Sequence, residues 1–159
     1  MRRAMRRKEL ETTKELALSL FDNCTFATLA TVCPDGTPYC IPISIVRNEN
    51  AIYFHGAMEG EKVDNLRQNP AVCLSCVAET WKPNMMFSIG FESAVAFGQA
   101  TEITDVAEKL FALRILSTRH DPENMPKFDA YVEKLIDRTG VWKIEIEHIT
   151  GKTKRIPPK

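Results

Sequence analysis

What this chain lacks narrows its chemistry. Neither sign of charge dominates: 21 Lys and Arg balance 21 Asp and Glu over 159 residues, whereas a nucleic-acid binder needs a basic excess to meet the phosphate backbone. No stretch reaches the roughly 18 consecutive apolar residues of a membrane-spanning helix, so no membrane partner is expected. Only 7 Gly and 9 Pro are present, which excludes collagen-like and low-complexity chains. The basic start is followed by Glu9, Glu11, Lys14 and Glu15 rather than by the apolar core of a secretory leader. Five cysteines, Cys24, Cys33, Cys40, Cys73 and Cys76, make an odd number. The expectation is a cytoplasmic protein with reduced thiols and no disulfide framework.

What is present suits one globular domain over 1–159, with 44% hydrophobic residues. Arg2, Arg3, Arg6, Arg7 and Lys8 form a basic N-terminal arm, assigned to 1–7. Removing those five cations leaves 16 basic against 21 acidic residues, a mildly acidic body. Leu10, Thr13, Ala17, Leu20 and Phe21 recur at helical spacing and predict a helix over 8–22. Strands are expected at 25–32, 37–46 and 51–56. The first two are joined by the turn Cys33-Pro34-Asp35-Gly36. A short helix over 60–69 is stopped by Pro70. A strand at 71–78, a loop at 80–84 holding Trp81 and Pro83, and a long strand at 87–103 follow, with Gly90 and Gly98 as bend points. The period then changes to helical through an insert at 104–138. Val106, Leu110 and Leu113 mark one helix; Phe128, Val132, Leu135 and Ile136 mark a second, ended by Gly140. Trp142, Ile144 and Ile146 alternate with charges in a last strand, and 151–159 form a tail. Six strands on short connections predict a mainly β fold, a small antiparallel barrel with flanking helices.

Several motifs fail on inspection. No G-x-G-x-x-G occurs. Thr150-Gly151-Lys152-Thr153 resembles the end of a phosphate-binding loop, but Ile146 occupies the required upstream glycine position and no helix follows. Cys73-Leu74-Ser75-Cys76 spells C-x-x-C, yet on a strand an offset of three puts the sulfurs on opposite faces. Without a second ligand pair at zinc spacing, no metal site is expected. His120, near the end of the first insert helix, and His148, at the end of the last strand, read as structural.

His55 differs through its surroundings. His55-Gly56-Ala57-Met58-Glu59-Gly60-Glu61-Lys62 leaves a strand end through small residues and enters a helix. Gly56, Ala57 and Gly60 permit close backbone approach. The amides at 60–63 face outward from a helix N-terminus, and Lys62 adds a positive charge. The set is suited to cradle a phosphate. The same residues would also serve an ordinary capped strand-to-helix turn.

The ordered set Ala27-Thr28-Leu29-Ala30-Thr31, Asp35-Gly36-Thr37-Pro38-Tyr39, Ile41-Pro42-Ile43, His55-Gly56-Ala57-x-x-Gly60-x-Lys62, Phe91-Glu92-Ser93-Ala94-Val95-Ala96-Phe97-Gly98 and Ile149-Thr150-Gly151-Lys152 resembles the flavin-binding split barrels related to pyridoxamine 5'-phosphate oxidase. Within them it is most similar to the branch that holds the 5-nitroimidazole-resistance (Nim-type) proteins. The resemblance implies a six-stranded antiparallel split barrel, a homodimer, and FMN in clefts between protomers. It implies cofactor contacts from Thr28, Leu29, Ala30, Thr31, Pro42, Ile43, Ser44, His55, Gly56, Ala57, Gly60, Lys62, Glu92, Ser93 and Val95. It places the functional histidine beside the flavin at His55, which with an ordinary pKa near about 6.5 would donate a proton to an acceptor. The implied activity is electron or hydride transfer from reduced FMN, supplied by an electron donor, to a small acceptor such as a nitro-aromatic. Phe91 stands where many relatives carry Tyr, and Ala94 where they carry Val. The R-x-x-x-L-K flavin motif of the true oxidase is missing, so that reaction is not assigned. The alternative on the same fold is a carrier or sensor that binds flavin, or heme through His55 or His148, without turnover. A barrel that has lost its cofactor and serves as an interaction protein is a third reading.

Overall fold

The computed structural model describes residues 3–81 and 87–155. Arg2 of the expected arm, Pro83 of the expected loop and Pro157-Pro158 of the expected tail lie outside the described residues; the tail does not start at 151, because the last strand, pairing on both sides there, continues to Lys154. Among these residues, eight strands run in the order β1 (Glu11–Thr12), β2 (Ala27–Val32), β3 (Pro38–Ile43), β4 (Val46–Asn48), β5 (Ala51–Gly56), β6 (Ala71–Trp81), β7 (Gly90–Glu102) and β8 (Gly140–Lys154). Four α-helices accompany them: α1 (Lys14–Asn23), α2 (Glu61–Gln68), α3 (Val106–His120) and α4 (Phe128–Leu135).

Every pairing is antiparallel, in the order β3-β2-β6-β7-β8-β5-β4, with β1 added on β8. No ladder joins the two ends of that order, yet β3 at one end passes to β4 at the other through Ser44 and Ile45 alone. Three consecutive Cα steps span at most about 11 Å. The ends of the sheet therefore face each other across a narrow gap, and the sheet rolls into a split barrel.

The strand count is eight, not the six expected. The segment 37–46 breaks at Ser44-Ile45, because a straight strand cannot leave one edge of the sheet and join the opposite edge. Ile45 turns fully inward at the break. The helix expected over 8–22 begins only at Lys14. Residues before it form a 3-10 turn (Lys8–Leu10) and the two-residue β1, which pairs with Gly151 and Lys152. Thr13 is the helix cap: its hydroxyl accepts from the Leu16 amide at 3.2 Å. Gly140 does not end the second insert helix. That helix stops at Leu135, a 3-10 turn follows, and Gly140 starts β8, where a Cβ would lie 2.9 Å from the Ala57 carbonyl oxygen.

Two cores explain the burial pattern. Inside the barrel, Leu29, Ile45, Ile52, Phe54, Leu74, Trp142 and Ile144 pack with Ala17 and Phe21 of α1. Outside it, Ala51, Tyr53 and Val141 are covered by Ala112, Leu113 and Leu116 of α3 and Phe128 and Val132 of α4. Strand β5 thus has both faces buried, which is why Ala51-Ile52-Tyr53-Phe54 is apolar without alternation. The insert is a lid over the outer face of β5. None of the helices among the described residues is long and apolar enough to cross a membrane.

Strands β7 and β8 run together over most of their length, with one interruption. Phe97 pairs with His148 and Gly98 with Ile146, leaving Glu147 as the extra residue. Gly98 lies at this bulge, as its sequence context suggested. A Cβ there would collide with the Glu145 carbonyl oxygen, a backbone atom that cannot swing away. Gly98→Ala is expected to lower unfolding free energy by about 1–3 kcal/mol, the usual cost of overpacking; urea unfolding of the two proteins checks this.

Candidate functional site

Parity along β5 decides where His55 points. Residues 51, 53 and 55 share the outer face, and Ala51 and Tyr53 are capped by the insert. The cover ends one step before His55, which is solvent-accessible. Between the end of β5 and the insert lies a hollow of about 340 Å³ whose lining includes Ser44, His55, Leu116, Ser117, His120, Tyr131 and Thr139. A neighbouring hollow of about 400 Å³ continues along the insert and shares Ser117, Asp121, Phe128 and Tyr131 with it.

His120 enters this hollow from the last turn of α3. Its Nε2 lies 2.8 Å from the Ile45 carbonyl oxygen. A carbonyl only accepts, so Nε2 carries the hydrogen and donates. Among the described residues no hydrogen bond holds the His55 ring, which leaves both of its nitrogens to a ligand. Desolvation, then the charges of Lys62 and His120, push the His55 pKa below its ordinary value. Both effects disfavour the charged imidazolium.

Lys62 is on the first turn of α2, and its Nζ folds back over the end of β5. It sits 5.4 Å from the centre of the Phe54 ring, and a Cβ on residue 56 would lie 2.8 Å from it. Gly56 is thus the residue that admits the ammonium. Burial alone pushes the Lys62 pKa down, and among the described residues no carboxylate pairs with it. A half-buried cation held against an aromatic face and lacking a counter-ion is poised to receive an anion. Gly60 starts the helix at φ +112°, and its carbonyl accepts from the amides of Val63 (2.8 Å) and Asp64 (3.1 Å). Glu61 and Asp64 in that first turn already offset the positive end of the helix dipole. The charge left without an acidic partner here, among the described residues, is Lys62 rather than the helix end.

The remaining candidates divide between two places. Ser44 joins His55 in the hollow, while Gly56, Ala57, Gly60 and Lys62 form the turn beside it. Leu29, Thr31 and Ile43 face the barrel interior at 0%, 2% and 7% exposure, respectively, so their side chains are core. Thr28 and Ala30 on β2, and Ser93 and Val95 on β7, occupy the outer sheet face, where Thr28 is level with Ser75 and Ser75 with Val95. Pro42 is exposed on the β3 edge. Glu92 points to the opposite side from its neighbours Phe91 and Ser93 and is held by Arg155 at 3.2 Å. The outer-face group thus lies on β2 and β7, and the strand-end group on β5 and the turn into α2.

Two contributors were missed in the sequence. His120 lines the hollow with Leu113, Leu116 and Ser117, at a helical spacing of 0, 3, 4 and 7; extending the apolar stripe by one turn would have found it. Asn65 is 1% exposed and donates to the Thr31 hydroxyl at 3.1 Å. It anchors α2 to β2 and so positions Lys62. A single polar residue in a short helix gives no such signal in advance.

A family model described as pyridoxamine 5'-phosphate oxidase matches residues 13–153. No curated protein matches the chain. Solved structures share the architecture. A candidate 5-nitroimidazole antibiotic resistance protein from Bacteroides thetaiotaomicron is 23% identical, with 90% of this chain and 86% of that one covered and a TM-score of 0.75. Flavocytochrome Anf3 from Azotobacter vinelandii is 22% identical, with 98% and 74% covered and a TM-score of 0.83. An FAD and heme binding protein from Mycobacterium smegmatis is 25% identical, with 93% and 74% covered and a TM-score of 0.79.

The electrostatics predict that His55 titrates below an unperturbed imidazole, and that Lys62→Met raises its pKa part of the way back, since burial remains. Histidine titration by NMR in both proteins measures this; an unmoved His55 would place the ammonium away from the ring.

Proposed function

The chain belongs to the pyridoxamine 5'-phosphate oxidase family, and from that membership and the geometry at the end of β5 we propose that it is an FMN-binding oxidoreductase. It passes electrons or hydride from reduced FMN to a small acceptor of the nitro-aromatic kind. The observation that carries this reading is Lys62, a half-buried ammonium without a carboxylate partner among the described residues, packed on Phe54 through the space left by Gly56. One such cation matches the single terminal phosphate of a mononucleotide. Bound flavin supplies exchange of hydride or single electrons with donor and acceptor, chemistry no side chain here offers.

The chain's own residues do the rest. Lys62 holds the phosphate end. Leu113, Leu116, Val132 and Leu135 of the insert keep water from one wall of the hollow. His120, oriented by the Ile45 carbonyl, presents its ring edge to the same space. His55 manages a proton at an imidazole nitrogen. Negative charge developing in the hollow offsets Lys62 and His120, restores the basicity of His55, and makes proton uptake accompany reduction. The missing R-x-x-x-L-K motif argues against oxidation of pyridoxamine phosphate. The cytoplasm is the proposed compartment, in keeping with five cysteines of which none is in a disulfide.

A homodimer is part of the proposal. The outer face of β2, β6 and β7 presents Ala30, Cys73, Ser75, Val77, Val95 and Phe97, with no charge among them and Val77 57% exposed. A second copy on this face would bring Thr28, Ser93 and Val95 of one protomer toward the strand-end group of its partner. A second reading, a carrier of flavin or heme without turnover, is favoured by His55 and His120 lining one hollow and by the FAD and heme binding relative. His148 does not contribute there; it packs against Phe97 at 6.2 Å.

The purified protein is expected to be yellow, with flavin absorption and no Soret band; a Soret band would transfer the assignment to the carrier reading. Lys62→Met is expected to weaken FMN binding about tenfold or more, the loss of one charge-assisted contact, measured by fluorescence titration. His55→Ala should retain flavin and lose about a hundredfold in turnover with reduced nicotinamide and a nitro-aromatic acceptor; full activity in that variant ends the proton role. Val95→Asp is expected to yield monomers in light scattering.

A further inference from the structure

The last turn of α3 is tied to the barrel by two side chains in succession. Arg119 donates from Nη1 to the Phe21 carbonyl at 3.0 Å and from Nη2 to the Cys24 carbonyl at 2.6 Å. The next residue, His120, donates from Nε2 to the Ile45 carbonyl at 2.8 Å. The first two acceptors belong to the end of α1, and the third to the crossing between β3 and β4. Those two places are themselves joined, because Arg47 of β4 grips the Asp22 carboxylate through Nε at 2.9 Å and Nη2 at 2.5 Å. The end of α1, the crossing and the end of α3 thus form a closed triangle of polar ties.

Helix capping accounts for part of this. Phe21 is wholly buried and Cys24 is 3% exposed, so the carbonyls at this helix end have little water to turn to. The last turn of α1 has no basic residue of its own. The cap comes instead from the residue before His120, in the turn of α3 that also lines the hollow. Ser117, at the start of that turn, and Asp121, just past it, line both the hollow beside His55 and its neighbour along the insert. Phe128 and Tyr131 of α4 do the same from the facing side. These residues stand between a space of about 340 Å³ and one of about 400 Å³. The first is near the small end of the range for small-molecule sites, roughly 300–1,000 Å³; the two joined would form a groove for a longer molecule. The α4 side of the partition rests on Phe128 and Val132 in the outer core and on an Arg114–Asp129 pair whose side chains are 50% and 84% exposed, a weak tie. The α3 side is the fixed one, and the contacts of Arg119 and His120 fix it.

We infer that Arg119 is a positioning residue: by pinning the last turn of α3 to the end of α1, it keeps the two hollows apart and limits the site to single-ring acceptors. The acceptor part of this inference rests on the oxidoreductase reading; the pinning of the wall does not. Without the Arg119 contacts the turn is held by His120 and apolar packing alone, and the partition opens. A two-ring molecule then gains room, while a one-ring molecule loses its close fit.

The test compares the full-length protein with Arg119→Met, which removes the donors, and Arg119→Lys, which keeps the cation with fewer donors. Two ratios are measured, each for a two-ring over a one-ring compound. One is kcat/KM with nitronaphthalene and nitrobenzene, with reduced nicotinamide as donor. The other is affinity, by calorimetry, for the unreactive naphthamide and benzamide. Both ratios are expected to rise about tenfold in Arg119→Met, the low end of what one altered pocket contact is worth, and by less in Arg119→Lys. A role in stability alone would weaken both compounds together and leave the ratios where they are. An affinity ratio that is unchanged or lowered overturns the proposal, as does a wild-type protein that binds neither amide. If Arg119→Met does not fold, Arg119→Lys decides on the same criterion. A wild-type protein that reduces neither nitro compound refutes the oxidoreductase reading, and the affinity ratio then decides the role of Arg119. A turnover ratio that stays put while the affinity ratio rises overturns the part of the inference that concerns acceptor choice.

Discussion

Strand β5 is squeezed between two apolar masses, the barrel interior against Ile52 and Phe54 and the insert against Ala51 and Tyr53. A strand buried on both faces cannot shift register or tilt without opening one core or the other. The next two residues, His55 and Gly56, inherit that rigidity while lying beyond the cover. One presents an imidazole to the outer hollow. The other, by having no side chain, lets the Lys62 ammonium settle against the strand on its inner side. Packing places His55 and Gly56, and the Asn65–Thr31 hydrogen bond that anchors α2 helps to place Lys62.

The electrostatic arrangement follows from the same placement. Lys62 is half-buried and, among the described residues, lacks a carboxylate partner, while the acids nearest in sequence, Glu61 and Asp64, remain exposed on the helix. Solvent screens those acids more than it screens the tucked cation. Burial and the cation together disfavour the charged form of His55. On the proposed reading, one interaction would both hold the anion and set the proton on His55.

Much of this was legible in the residues, and the exceptions have physical causes. The strand ending in His55-Gly56 and the helix that follows were marked by the loss of apolar residues, the small residues and Pro70. Alternation in Trp142, Ile144 and Ile146 marked β8. The split at Ser44-Ile45 was not visible, since the local pattern continues to read as strand and only the closure of the sheet demands a crossing. The two-residue β1 is created by a partner far along the chain and has no local signature. Gly140 was read as a helix end because glycine serves turns and close backbone approaches alike; here it makes room for the Ala57 carbonyl. At the site, the His55 turn was recognisable, and His120 and Asn65 were not, because their roles depend on which surfaces the insert and α2 cover.

Strand β8 is the seam of the molecule, pairing with β1, β5 and β7. It is also made after all of its partners. During synthesis, β5 and β7 must wait with open edges, and no barrel can close until residues 140–154 have left the ribosome. Such late, long-range closure slows folding and leaves apolar edges exposed to other chains. A nascent chain that stalls between the insert and β8 is thus a candidate for chaperone capture, though all four α-helices among the described residues have been made.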